Sequence, residues 1–310
     1  AAIIDSTAER LTHQDSVQRI LDLDPRLVVF VVYGQNPNSG TINMVGNTEC
    51  AELLKEAIPN SKVCFVGSHT IALPKEVLGL PYVDIVLLNE GIYALRSLLA
   101  SNLGTDLSKI NGIGYKEDGK PILNAPEIVV PNEKMDLDMP GYAWDLLPMK
   151  SKPLDLYRAH FWHTKYKHHN RTPFAALYTS LGCRFKCDFC MINIVNRIDN
   201  DDSIASSHSP NMRFWSPEFM LKEFETLANL GVEHIRISDE MFFLNQRYFE
   251  PLLQGLVDRD LKLQMWSYTR IDTVRERYLE LFKSAGIEWL AVGIEAGNRE
   301  VRREVSKGTF

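Results

Sequence analysis

The sequence predicts an α/β protein in two parts, a doubly wound domain followed by part of a parallel (β/α) barrel. Three observations carry this. The 310 residues suffice for two domains of ordinary size. β-Branched runs alternate with segments of helical apolar spacing in both halves, the pattern of parallel sheets with crossover helices. Between the halves, residues 131–171 carry Pro131, Pro140, Pro148 and Pro153 and lack periodicity, which reads as a linker. The expected domains are therefore 1–130 and 172–310.

In the first domain Ile3-Ile4 reads as the end of a strand. Gln14–Leu23 sets Val17, Ile20 and Leu21 at helical spacing. Leu27–Tyr33 is a continuous β-branched and aromatic run, expected of a strand buried on both faces. Thr41–Ala57 is helical, Lys62–Val66 and Val83–Leu88 are strands, and Glu90–Leu99 is again helical. A hairpin is expected around Asp118-Gly119. Ligands of such sheets sit at the carboxyl ends of the strands. The loops there are Gly34-Gln35-Asn36-Pro37-Asn38-Ser39-Gly40 after Tyr33, then Gly67-Ser68-His69-Thr70, then Asn89-Glu90-Gly91. They offer glycine for close backbone approach and small polar side chains for hydrogen bonds. No Gly-x-Gly-x-x-Gly follows a strand, which disfavours a nicotinamide dinucleotide.

In the second domain Phe174–Thr179, His234–Ser238, Lys262–Ser267 and Trp289–Ile294 read as strands. Ser216 is placed to cap a helix through Leu230, with Pro217 at its first position. Arg247–Val257 and Thr273–Ala285 are expected helices, and a further one starts at Arg299. Four strand–helix units in succession predict a barrel or part of one. Asn196–Pro210 reads as an exposed polar excursion. The linker's aromatics and histidines, among them Trp144, Tyr157, His160, Trp162, His163, Tyr166, His168 and His169, read as a lid or solvated surface rather than a metal site.

Ser180–Met191 is the stretch that bears chemistry: SLGCRFKCDFCM. Cys183, Cys187 and Cys190 stand in the spacing Cys-x3-Cys-x2-Cys. Zinc sites pair their cysteines and need a second pair downstream, which is absent here. Three clustered thiolates fit an iron–sulfur cluster that is one ligand short, leaving one iron open.

The spacing, the aromatic Phe189 before the third cysteine and the leading strand FAALYTSLG resemble the radical S-adenosylmethionine enzymes. The strings DSTAERLTHQD, VGSHTIALPKEVL and VDIVLLNEGIYAL resemble the Rossmann-like (flavodoxin-like) cobalamin-binding domain found in front of many of them. The resemblance implies a [4Fe-4S] cluster, S-adenosylmethionine and cobalamin. It implies that the open iron chelates S-adenosylmethionine, whose reductive cleavage yields a 5′-deoxyadenosyl radical. It places Phe189, Ser238, Asp239, Glu240, Arg270 and Glu295 around that cofactor. In this reading carboxylates at the second strand end meet the amino group, Arg270 the carboxylate and Glu295 the ribose. It places Tyr33, Gly34, Gln35, Asn36, Ser39, Gly67, Ser68, His69, Thr70, Asn89, Glu90 and Gly91 around cobalamin. The motif Asp-x-His-x-x-Gly is absent, so His69 is expected to bond within its loop rather than to cobalt. The implied activity is methylation of an unactivated carbon of a small molecule through the radical and methylcobalamin. Radical cyclases, oxidases and rearrangement enzymes share this architecture. A methylthiotransferase would need a second three-cysteine set, and only Cys50 and Cys64 remain. A non-catalytic cofactor carrier would not need the charged strand ends.

Net charge is −6 and no basic stripe occurs, which argues against nucleic acid as a partner. No apolar run approaches the ~20 residues of a membrane span. The start, AAIIDSTAER, lacks a secretory signal pattern, and clustered cysteines argue against a disulfide scaffold, so a reducing cytoplasm is expected. An external electron donor of flavodoxin or ferredoxin type is implied by the resemblance. Compared with that family, both ends read as truncated, with the last two barrel strands lacking.

Overall fold

The computed structural model describes residues 1–33, 40–104, 106–149, 173–185, 187, 189–192 and 212–305. Its chain forms two compact units. Glu9–Pro131 make up the body of the first, with Asp188–Asn211 grouped with it; the second is built from Asn132–Cys187 and Met212–Phe310, with Ala1–Ala8 grouped with it. Among the described residues no helix is long and apolar enough to cross a membrane.

The first unit holds a five-stranded sheet: β1 (Val28–Val31), β2 (Val63–Val66), β3 (Ile85–Leu87), β4 (Ile113–Glu117) and β5 (Lys120–Leu123), side by side in that order. β1, β2 and β3 are parallel, as crossover helices require. β4 and β5 run antiparallel, so the sheet is mixed rather than wholly parallel. Their hairpin turns at Asp118 and Gly119, both with left-handed backbone (φ 48° and 76°), where the Asp-Gly pair is favoured. β2 lies inside the sheet and all four of its residues are buried. β1 corrects an expectation: it is an edge strand, and Val31 is 58% exposed, not buried on both faces. Ile3-Ile4 forms no strand. The first helix, His13–Leu23, begins at a reciprocal cap in which Thr12 Oγ1 accepts from Asp15 N (3.0 Å) and the Asp15 carboxylate accepts from Thr12 N (3.3 Å). Further helices span Gly40–Ala57, Ser68–Ala72, Pro74–Gly79 and Ile92–Ala100. Cys64, Val66, Ile85, Leu87, Leu98 and Ile113 form an apolar core on one side of the sheet.

The second unit holds four parallel strands, β6 (Phe174–Leu177), β9 (His234–Ile237), β10 (Gln264–Arg270) and β11 (Ile287–Gly293), in the order β11-β10-β9-β6. Sequential parallel strands with helices between them make an arc of a barrel. A short antiparallel pair, β7 (Ser180–Leu181) and β8 (Arg213–Phe214), lies outside this sheet. Helix Pro217–Asn229 starts as expected, with Ser216 Oγ accepting from Phe219 N at 3.1 Å. Helix Gln246–Arg259 follows β9. The third crossover differs from expectation. In place of one helix there are 3₁₀ turns at Ile271–Thr273 and Glu276–Tyr278, then helix Leu279–Ser284. Thr273 Oγ1 donates back to Arg270 O (2.8 Å), closing a turn there, and Val274 is extended.

Residues 132–149, expected to be linker, fold onto the barrel unit. Phe214 N donates to Asn132 Oδ1 and Ser216 N to Asp136 Oδ1, both at 2.8 Å. Trp215 Nε1 donates to Met139 O at 2.7 Å, and Trp144 Nε1 to Glu223 Oε2 at 2.9 Å. Tyr142 stacks on Trp144 with ring centroids 5.0 Å apart. The later linker aromatics and histidines, and the Asn196–Pro210 excursion, lie outside the described residues.

Candidate active site

β6 ends at Leu177, and the chain turns through Tyr178 and Thr179 into β7 before reaching Cys183. Side chains from distant elements hold this turn. Asp239, fully buried just past β9, accepts from Thr179 N (2.6 Å), Thr179 Oγ1 (2.7 Å) and Ser180 Oγ. Tyr248 donates to Thr179 O at 2.7 Å. The Tyr142 hydroxyl accepts from Tyr178 N (2.7 Å) and donates to Tyr178 O (3.0 Å). Burial raises the Asp239 carboxyl to about 6 against the opposing pull of these hydrogen bonds. Cys187 is buried, Cys183 and Cys190 are half-buried, and Phe189 is exposed. Among the described residues no three His, Cys, Asp or Glu side chains converge on one metal ion. This does not count against a cluster, in which each thiolate binds a different iron.

Three strand ends carry the other expected residues. Ser238 is buried and its Oγ accepts from Arg236 Nε at 3.0 Å. Glu240 next to it behaves unlike Asp239. Its Oε2 is buried with no hydrogen-bond partner among the described residues. Burial, aided by the Asp239 charge, pushes the Glu240 carboxyl up to about 8. A buried carboxylate oxygen left so is strongly disfavoured unless a cation or donor arrives. β10 runs three residues beyond its expected end and finishes at Arg270. The Arg270 guanidinium forks onto Asp272, Nε to Oδ1 at 2.9 Å and Nη2 to Oδ2 at 2.7 Å. Its face lies 4.1 Å from the ring centroid of Phe185, inside the cysteine loop. The edge expected to meet a cofactor carboxylate is thus engaged by a carboxylate of the chain itself. Glu295, past β11, is exposed and has left-handed backbone (φ 68°).

In the first unit the loop after β2 is the best formed. Gly67 has φ 139°, and a Cβ there would lie 2.2 Å from Val32 O, so only glycine fits. The hydroxyls of Ser68 and Thr70 are wholly buried, without a hydrogen-bond partner among the described residues. His69 Nδ1 lies 2.9 Å from Thr41 Oγ1, so it bonds to the helix Gly40–Ala57 rather than within its own loop. Asn89 and Glu90 are used structurally. Asn89 accepts from Gly91 N (3.1 Å) and donates to Glu127 O (2.7 Å), and Glu90 accepts from Val130 N. Tyr33 is exposed, and its carbonyl accepts from Asn43. Gly34, Gln35, Asn36 and Ser39 lie outside the described residues.

Sequence reasoning missed Tyr142, Thr179, Tyr248, Asp272 and Phe185. Asp272 had a local signal, two residues after Arg270 in the same SYTRID string, as did Phe185 and Thr179 inside the cysteine stretch and its leading strand.

Residues 177–310 match the family model described as the Radical SAM superfamily. An uncharacterized methyltransferase of Pyrococcus horikoshii is 26% identical over 309 residues, 99% of this chain and 59% of that protein. The anaerobic magnesium-protoporphyrin IX monomethyl ester cyclase of Synechocystis is 22% identical over 99% of this chain and 55% of its own length. The chain therefore spans little more than half the length of these relatives. Among solved structures, the tryptophan- and aza-SAM-bound radical S-adenosylmethionine methyltransferase TsrM of Kitasatospora setae matches 100% of this chain and 56% of its own, with TM-score 0.70 and 15% identity. The cobalamin-dependent S-adenosylmethionine radical enzyme OxsB matches 96% of this chain and 39% of its own, with TM-score 0.69 and 22% identity. Residues 177–310 thus match the radical SAM model, and the chain shares the fold of OxsB and TsrM.

Proposed function

We propose that the chain is the cofactor-bearing part of a cobalamin-dependent radical S-adenosylmethionine methyltransferase that acts on an unactivated carbon of a small molecule. The observation that carries the reading is that the fold likeness covers 100% of the chain, including the unit upstream of the radical SAM domain. When bound, the cluster with S-adenosylmethionine supplies a 5′-deoxyadenosyl radical, and cobalamin supplies the methyl group.

The residues fit these groups by their chemistry. Cys183, Cys187 and Cys190 are the soft donors for a cluster with one open iron. The buried Oε2 of Glu240 is matched to the ammonium of S-adenosylmethionine, whose charge would draw the carboxyl back down. Glu295 and Phe189, both exposed, are assigned to the ribose and adenine in this reading. Arg270 reaches the cofactor carboxylate only if Asp272 gives way; otherwise it braces Phe185. Ser68 and Thr70 are buried hydroxyls suited to the polar groups of cobalamin, in the loop whose Gly67 packs directly against the Val32 backbone. We retain residues 1–130 as the cobalamin domain, 131–171 as the connection and 172–310 as the barrel, with an external flavodoxin- or ferredoxin-type donor reducing the cluster.

The test is anaerobic purification with iron counting and an absorption spectrum, then incubation with methyl-labelled S-adenosylmethionine. Labelled product with both S-adenosylhomocysteine and 5′-deoxyadenosine is expected. The cyclase relative supports a second reading, a radical cyclase with the same cofactors. 5′-Deoxyadenosine without methyl transfer would decide for it.

A further inference from the structure

We propose that Asp239 is a positioning residue which, with Tyr142 and Tyr248, fixes the root of the cysteine loop. This rests on the proposed function for what the loop holds, but the clamp stands on geometry. Tyr178 and Thr179 lie between β6 and β7, and side chains meet their backbone groups. Tyr142 takes both Tyr178 N and O, Asp239 takes Thr179 N, and Tyr248 takes Thr179 O. Asp239 and Tyr248 are buried and Tyr142 is half-buried, and their partners lie 36 to 69 residues away in sequence. Backbone groups between two strands would ordinarily turn to the ladder or to water. Here three separate elements converge on two residues.

The two adjacent carboxylates past β9 divide their work. Both Asp239 oxygens are engaged by the loop root, three donors coming from Thr179 and Ser180. The neighbouring Glu240 keeps a buried oxygen for a ligand. Thr179 is only four residues before Cys183, with Gly182 in left-handed backbone (φ 89°) between them. A displaced root therefore moves the first thiolate, and with it the geometry of the cluster. In this arrangement Asp239 acts on cofactor chemistry through the loop and touches no cofactor atom.

The test compares wild type with Asp239→Ala, Asp239→Asn, Tyr248→Phe and Tyr142→Phe. In the iron-free protein, amide exchange at Thr179 is expected to rise about tenfold or more in Asp239→Ala, the range for an orphaned buried donor. The rise should be smaller in Asp239→Asn, which keeps a carbonyl acceptor. Tyr142→Phe should do the same at Tyr178, with β9 and β10 amides unchanged. After anaerobic reconstitution, Asp239→Asn should bind iron as wild type does, with shifted g-values in the reduced-cluster EPR spectrum. Should Asp239→Ala not fold, Asp239→Asn and Tyr248→Phe carry the comparison. Wild-type exchange at Thr179 in Asp239→Asn and Tyr248→Phe, combined with weakened S-adenosylmethionine binding in Asp239→Asn, would overturn the proposal and make Asp239 a cofactor contact. Wild type that binds no iron would count against the proposed function, while the exchange experiment would still decide the clamp.

Discussion

Glu240 carries the more strongly raised of the two adjacent carboxyls past β9. Its carboxyl is raised to about 8 by burial, and that of Asp239 to about 6. A raised carboxylate binds its proton more tightly in the folded state than in the unfolded one. Its stabilising contribution is therefore complete below the unfolded value near 4.5 and is lost as pH rises through 8. Glu240→Gln removes this loss. The ligand-free variant is expected to melt higher than wild type at pH 8 and at the same temperature near pH 4.5, by about 2–4 °C per kcal/mol recovered. The same substitution deletes the partner for an ammonium, so S-adenosylmethionine should bind about tenfold or more weakly at pH 8, the value of one charge-assisted hydrogen bond. Melting curves at the two pH values and a binding titration check both. A variant less stable at pH 8 would mean that Glu240 already has a cationic partner.

At the scale of elements, the loop after β2 and the helix after β8 make opposite demands. Gly67→Ala places a Cβ 2.2 Å from Val32 O at φ 139°. The backbone must move, at a cost of roughly 2 kcal/mol or more. Denaturant unfolding should show that loss, and cobalamin uptake should fall with it. Ser216→Ala merely removes a cap from helix Pro217–Asn229 and should cost about 1 kcal/mol. The cap at Ser216 was legible because capping is local, a hydroxyl and an amide three residues apart. β2 was legible from its apolar run and β5 from the Asp-Gly turn. The edge position of β1 was not, because a β-branched run reads alike in a central and an edge strand. The break of the third crossover into turns was hidden as well, since Thr269 and Thr273 meet only once the turn exists. Asp239 was placed correctly at a strand end. Its partners could not be read, because Thr179 lies 60 residues away in the chain and only the parallel pairing of β6 with β9 brings them together.

Across the whole molecule, the proposed cofactors draw on different sets of residues: Cys183 and Cys187 fall in the barrel unit, while Cys190 groups with the unit of Glu9–Pro131. The three cysteines belong to none of the apolar core formed by Cys64, Val66, Ile85, Leu87 and their neighbours. Residues without shared partners contribute independently to stability. Replacing Cys183, Cys187 and Cys190 together by Ala should therefore abolish iron binding while leaving far-UV circular dichroism near that of wild type. Cobalamin added to the variant should give the same spectrum as in wild type, and Gly67→Ala should conversely lose cobalamin while keeping iron. Measuring iron and cobalamin on both variants checks the division. Loss of both cofactors from either variant would show that one ligand site needs the other filled, and the two units would then have to be treated as one cooperative body.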